Sequence, residues 1–144
     1  MIRRREFIAA LGGVAAWPVA ARAQRGRVRR IGVLIGGDET DPVRKTYVSA
    51  FTQALVDLGW TDGRNVQIDL RWAGGDFNRM RALAQELVDL QPDIIVTNAG
   101  PAIVALQRET QTIPIVFASA SDPVATGIVP RLNRPGGNIT GFAV

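Results

Sequence analysis

The chain has no cysteine and no histidine. Without cysteine there can be no disulfide framework, thiol nucleophile or lipid-modified cysteine. Without histidine, zinc sites of the usual type and Ser-His-Asp hydrolysis are excluded within this chain. The glycine-rich phosphate cradles are missing too: no G-x-G-x-x-G opens a helix and no G-x-x-x-x-G-K-[ST] occurs. The longest apolar stretch, residues 7–19, is rich in Ala and Gly and falls short of the roughly 20 apolar residues a membrane span needs. Much of the enzyme catalogue is thereby removed. No catalytic residue, metal site or cofactor is expected, and the chain is expected not to be an enzyme.

What is present is an ordinary globular composition, 47% hydrophobic and 21% charged over 144 residues, enough for one domain. The net charge of +4 is unevenly placed. Four of the 17 basic residues (Arg3, Arg4, Arg5, Arg22) but only one of the 13 acidic ones (Glu6) precede Gln24. Arg25, Arg27, Arg29 and Arg30 then lead into a body that is slightly acidic. Nucleic-acid binding needs a basic face on the folded domain, so this distribution argues against it.

Residues 1–23 have the layout of an export signal. Arg3, Arg4 and Arg5 form a basic head, the apolar stretch follows, and Ala21-Arg22-Ala23 is a small-x-small site with cleavage expected after Ala23. Arg4-Arg5 followed, after one residue, by Phe7-Ile8 resembles the twin-arginine address. The protein is therefore expected in the periplasm. Residues 24–29 are a linker by composition, and residues 30–144 are the domain.

Within the domain, short β-branched runs alternate with helical patterns. Residues 30–36 form a buried strand, and Asp41-Pro42 opens a helix with Asp as the cap and Pro in the first turn. Val43, Tyr47, Phe51, Leu55 and Leu58 give that helix an apolar stripe, and Gly59 is its stop. Residues 65–72 alternate, with Val66, Ile68, Leu70 and Trp72 on one face, as suits an edge strand. Asp76 caps a helix carrying Met80, Leu83, Ala84, Leu87 and Leu90. Residues 94–96 and 113–117 are continuous apolar runs, expected to be strands buried on both faces. Gly100-Pro101 opens the helix between them, and Asp122-Pro123 is expected to open a fourth. A turn at residues 134–138 leads to a fifth strand, residues 139–144. The alternation predicts an α/β fold, a doubly wound, Rossmann-like parallel sheet of five strands in the order 2-1-3-4-5.

Open sheets of this kind bind ligands at the carboxyl ends of their strands. Thr97 and Asn98 after the third strand, and Ser119, Ala120, Ser121 and Asp122 after the fourth, are expected to form two walls of a small-molecule cleft. Small hydroxyl and amide groups there can equally close turns. Asp41, Asp76 and Asp122 are accounted for as helix caps, ahead of acid/base roles. Trp60 and Trp72 are read as packing residues rather than ligand platforms.

These residues resemble a known family, the TrpX-like substrate-binding proteins of ABC transporters, with the type I periplasmic-binding-protein fold. The likeness runs through Phe51-x-x-x-Leu55-x-x-Leu58-Gly59-Trp60, Gly63-x-Asn65, Ile113-Pro114, Ser121-Asp122-Pro123 and Pro135-Gly136-Gly137-Asn138, in that order. The resemblance implies the first of two lobes that close on a small molecule and then dock on an inner-membrane ABC permease. It also implies a hinge just after Gly141 and a second lobe that is absent here, so that the chain is a truncated fragment. The implied cleft positions are Gly36, Gly37, Thr97, Asn98, Ser119, Ala120, Ser121 and Asp122. Characterised members of the family bind aromatic amino acids.

Two other readings share such a sheet. A flavodoxin-like or Rossmann-type cofactor enzyme lacks its glycine fingerprint here. A repressor's effector domain would carry a polar, basic helix-turn-helix where this chain has its Ala/Gly-rich segment.

Overall fold

A computed structural model describes residues 26–98, 100–131 and 136–143. The expected export signal lies outside the described residues. The elements are β1 (Arg29–Ile35), α1 (Pro42–Asp57), β2 (Val66–Trp72), α2 (Phe77–Asp89), β3 (Ile94–Thr97), α3 (Gly100–Glu109), β4 (Ile115–Ala120) and β5 (Ile139–Ala143). All strand pairs are parallel, in the order β2-β1-β3-β4-β5 expected from the sequence. Among the described residues, no helix is long and apolar enough to cross a membrane.

Strand alternation sorts the sheet into two unequal faces. Leu34 of β1 lies beside Thr97 of β3, which lies beside Phe117 of β4, so all three side chains point the same way. Against that face pack Met80, Ala84 and Leu87 of α2 and Ala102, Ile103 and Leu106 of α3, all buried. Each large apolar side chain enclosed there contributes about 2 kcal/mol of transfer free energy. The opposite face carries Val33, Ile35, Val96 and Ala118, with α1 running past it. None of the residues of α1 is buried. Val43, Tyr47 and Leu58 of the expected apolar stripe are 55%, 65% and 75% exposed, so the stripe borders a groove instead of closing a core.

The helix ends follow the sequence closely. Asp41 accepts from the N–H groups of Val43 and Arg44, and Asp76 from those of Asn78 and Arg79. After Leu58, the Trp60 N–H reaches the Leu55 carbonyl and the Gly59 N–H the Val56 carbonyl, a Schellman ending.

Three expectations need correction. The helix expected from Asp122-Pro123 is not formed; residues 123–127 are turns. Asp122 is in the left-handed region at φ 41° and Gly127 at φ 74°; the Thr126 N–H reaches the Asp122 carbonyl, the Gly127 N–H the Val124 carbonyl and the Val129 N–H the Pro123 carbonyl, so the chain turns and reverses instead of continuing as a helix. The fourth strand runs from Ile115 to Ala120 instead of residues 113–117, which brings Ser119 and Ala120 into the sheet. The linker reading of residues 24–29 fails at its end: Arg29 is the first residue of β1, paired with Val66.

At the amino edge of the sheet, Asp93 gathers that lead-in. Its Oδ2 accepts from the Arg30 N–H at 2.8 Å, and its Oδ1 lies 2.8 Å from Arg27 Nη2 and 3.5 Å from Arg29 Nη1. The Arg30 N–H chiefly, with the two guanidinium charges, holds the Asp93 carboxyl below its ordinary range despite partial burial. A carboxylate with a lowered folded-state pKa stabilises the fold above its unfolded-state value, and that gain is lost as pH falls through the folded-state value. Asp93→Asn is therefore expected to be less stable than the parent at neutral pH, with the difference closing below about pH 4. Urea titrations across that range check it.

At the far edge, Gly141 of β5 lies beside Phe117. A Cβ there would collide with the Phe117 carbonyl oxygen and ring. Gly141→Ala is expected to lower the unfolding free energy by about 1–3 kcal/mol, read from the denaturant midpoint.

Candidate functional site

The carboxyl ends of β1, β3 and β4 open onto a cavity of about 830 Å3 between this second sheet face and α1. Its floor is apolar, from Val33, Ile35 and Val96 of the sheet and Tyr47 and Phe51 of α1. Its rim is polar, from Asp41, Arg44, Asn98, Ser119 and Ser121. Five parallel strands put their carboxyl ends on one edge, and this is why residues so far apart in sequence meet there.

The residues singled out from sequence take different places. Thr97 lines the cavity, but its Oγ1 donates to the Leu34 carbonyl at 2.8 Å and is buried, so the hydroxyl ties β3 to β1. Asn98 accepts the Gly36 N–H on its Oδ1 at 3.2 Å, joining the loops after β1 and β3. Gly36 and Gly37 are committed to the fold as well, their carbonyls accepting the N–H groups of Gly75 and Gly74 at 2.8 Å. Ser119 and Ser121 line the cavity. Ala120 between them is buried in the core on the other side of the sheet. Asp122 lies outside the cavity, its Oδ1 accepting from the Ala125 N–H at 3.0 Å. Trp60 and Trp72 are not among the residues lining the cavity.

Ser119 is held in an unusual backbone state. Between Ala118 and Ala120 the pairing with β5 slips by a bulge, and Ser119 takes φ 70°. A non-glycine residue in that region costs on the order of 1 kcal/mol or more. Ser119 stays within β4 as the residue left unpaired with β5 by the bulge, and its side chain is exposed at the cavity rim.

The charged groups at and behind the rim are fastened in place. Asp38, in the loop after β1 and not among the residues lining the cavity, accepts from both the Oγ1 and the N–H of Thr40, at 2.6 and 2.7 Å. The hydroxyl bond first, then the amide bond, holds its carboxyl below the ordinary range. Asp41 caps α1 through Oδ1 and takes the Arg44 Nε on Oδ2 at 3.0 Å. Among the described residues, no three His, Cys, Asp or Glu gather as a metal set would. The cavity thus combines an apolar floor with a rim of fixed donors and acceptors, the usual composition of a small-molecule pocket.

Neither the cavity floor nor Arg44 stands out in the sequence as part of a site. Tyr47 and Phe51 were legible only as an apolar stripe. Arg44 lies three residues from both Asp41 and Tyr47, the helical spacing that puts it on the cavity side of α1.

Residues 32–143, well over half of the chain, match the family described as ABC transporter substrate binding protein. The chain belongs to that family. A curated relative, the tyrosine-binding protein of Clostridioides difficile, is 36% identical over 91 residues, which is 63% of this chain and 26% of the relative. A Streptococcus pneumoniae ABC domain solved in complex with L-Trp superposes with a TM-score of 0.74 at 29% identity, over 81% of this chain and 38% of that one. A ligand-free, open substrate-binding protein with adhesive properties from Clostridium difficile superposes with a TM-score of 0.75 at 31% identity, over 81% of this chain and 39% of that one. The chain thus spans between a quarter and two fifths of the length of these relatives. The family is one of substrate binding, not of catalysis.

Replacing Ser119 with Gly is expected to raise stability by about 1 kcal/mol, because glycine adopts the left-handed conformation without the Cβ penalty. A thermal melt of both forms checks this; a lower melting temperature for the glycine variant would mean that the bulge is held without strain.

Proposed function

We propose that this chain is the first lobe of an extracytoplasmic solute-binding protein that captures a small molecule, an aromatic amino acid, for delivery to an ABC permease in the inner membrane. The cavity at the carboxyl ends of β1, β3 and β4 carries the proposal, because its apolar floor suits a ring and its polar rim suits a zwitterionic head. Two relatives support the aromatic choice, one named for tyrosine and one solved with L-Trp. A second lobe, in the part of the relatives' length that this chain does not span, closes over the rim when solute binds. The hinge begins just after Gly141, in the last residues of β5. Direct solute contacts come from the side chains of Asn98, Ser119 and Ser121, whereas Gly36, Gly37, Thr97, Ala120 and Asp122 shape the loops behind them. Residues 1–23 send the protein to the periplasm through the twin-arginine route and are removed after Ala23.

The test is a thermal-shift screen of the full-length gene product, purified from the periplasm, against amino acids, nucleosides and sugars. A solute selective for the folded protein stabilises it by about 2.7 kcal/mol at a hundred times its Kd. Tyrosine, tryptophan or phenylalanine should raise the melting temperature with dose, and the other classes should not. A copurifying flavin or nicotinamide, or no response to any aromatic amino acid, overturns the proposal.

A further inference from the structure

We infer that Arg44 is a specificity-determining residue, which reads a carboxylate on the bound solute. The inference rests on the binding role proposed above and adds to it the chemical group that the first lobe recognises.

Arg44 is a fixed cation at the cavity wall. Its own N–H and its Nε both go to Asp41, at 3.4 and 3.0 Å, so backbone and side chain are held by one carboxylate. Its side chain is 35% exposed and lies across Gly37. A Cβ at Gly37 would collide with the Cδ, Nε and Cζ atoms of Arg44, so the absence of a side chain there is what gives the guanidinium its seat. Gly37 thereby acquires a role at the site without touching solute. The Asp41 bond uses Nε alone, and neither Nη group of Arg44 makes a hydrogen bond to a described residue. Two N–H-bearing nitrogens therefore remain at the rim, in the planar fork that suits a carboxylate. Asn98, Ser119 and Ser121 line the same cavity, and Tyr47 and Phe51 belong to its apolar floor. A flat apolar solute seated on that floor with its carboxylate towards Arg44 satisfies both halves of the pocket. Asp41 has its two oxygens occupied by the helix cap and by Nε, so it holds the cation without filling the place of the solute.

Isothermal titration of the full-length protein separates this from a merely structural Asp41–Arg44 pair. The probes are L-tyrosine and 3-(4-hydroxyphenyl)propionate, which carry a carboxylate, and tyramine, which does not. In Arg44→Gln, affinity for the two acids should fall about tenfold or more while that for tyramine changes little. Arg44→Lys keeps the charge without the fork and should fall between the two. Gly37→Ala, which displaces the guanidinium without removing it, should weaken the acids in the same direction. Arg108→Gln, at the end of α3 and outside the cavity, should leave every affinity unchanged. Binding of the acids by Arg44→Gln within about twofold of the parent, or an equal loss for acids and amine, overturns the inference and leaves the binding role standing. If none of the probes binds the parent protein, the aromatic-solute reading and this inference fall together. Should Arg44→Gln not fold, the acid-to-amine ratios of the Lys and Gly37→Ala variants decide in the same way.

Discussion

Parallel pairing of β1, β3 and β4 through the row Leu34, Thr97 and Phe117 is the constraint on which the remaining structure depends. Parallel strands cannot be joined by tight hairpins, so each pair needs a crossover and each strand delivers its carboxyl end to the same edge. The buried Thr97 hydroxyl, bonded to the Leu34 carbonyl at 2.8 Å, reinforces that row inside the apolar layer. An unmade bond at that depth would cost about 1–3 kcal/mol. Asn98, one residue on, extends the same linkage out of the core by taking the Gly36 N–H. Core and rim are thus joined by two consecutive residues.

The two faces of the sheet have different tasks. Towards α2 and α3 the side chains close into a continuous apolar cluster. Towards α1 they do not join that cluster, and Val33, Ile35 and Val96 line a cavity shared with Tyr47 and Phe51. Apolar surface left open beside a polar rim is the usual composition of a ligand pocket. The left-handed backbone at Ser119 is consistent with that use. It costs stability, and the bulge that imposes it leaves a hydroxyl exposed at the rim.

Electrostatics at the rim is organised by a pre-assembled pair. Asp41 caps α1 and simultaneously immobilises Arg44. Groups fixed before a solute arrives lose little conformational freedom when it binds, and this favours affinity without additional contacts. Gly37 belongs to the same economy, since its bare Cα is the surface on which the guanidinium rests.

The sequence by itself determined the order of the elements up to β4, the strand order, the helix caps at Asp41 and Asp76 and the end of α1 at Gly59, because these depend on neighbours within a few residues or on the apolar period. It also determined which loops meet, since topology alone puts residues 97–98 and 119–121 at one edge. Only the tertiary structure decided what each of those residues faces. Thr97 turned inward and Ala120 into the core, because a strand points successive side chains to opposite faces and the start of β4 lay two residues later than its apolar run suggested. The Asp122 turn replaced a helix because a left-handed residue at its head redirects the chain, a conformation no local pattern announces. The seat of Arg44 on Gly37 was invisible for the same reason: it is a contact across a loop, and its meaning lies in the room that one missing side chain leaves.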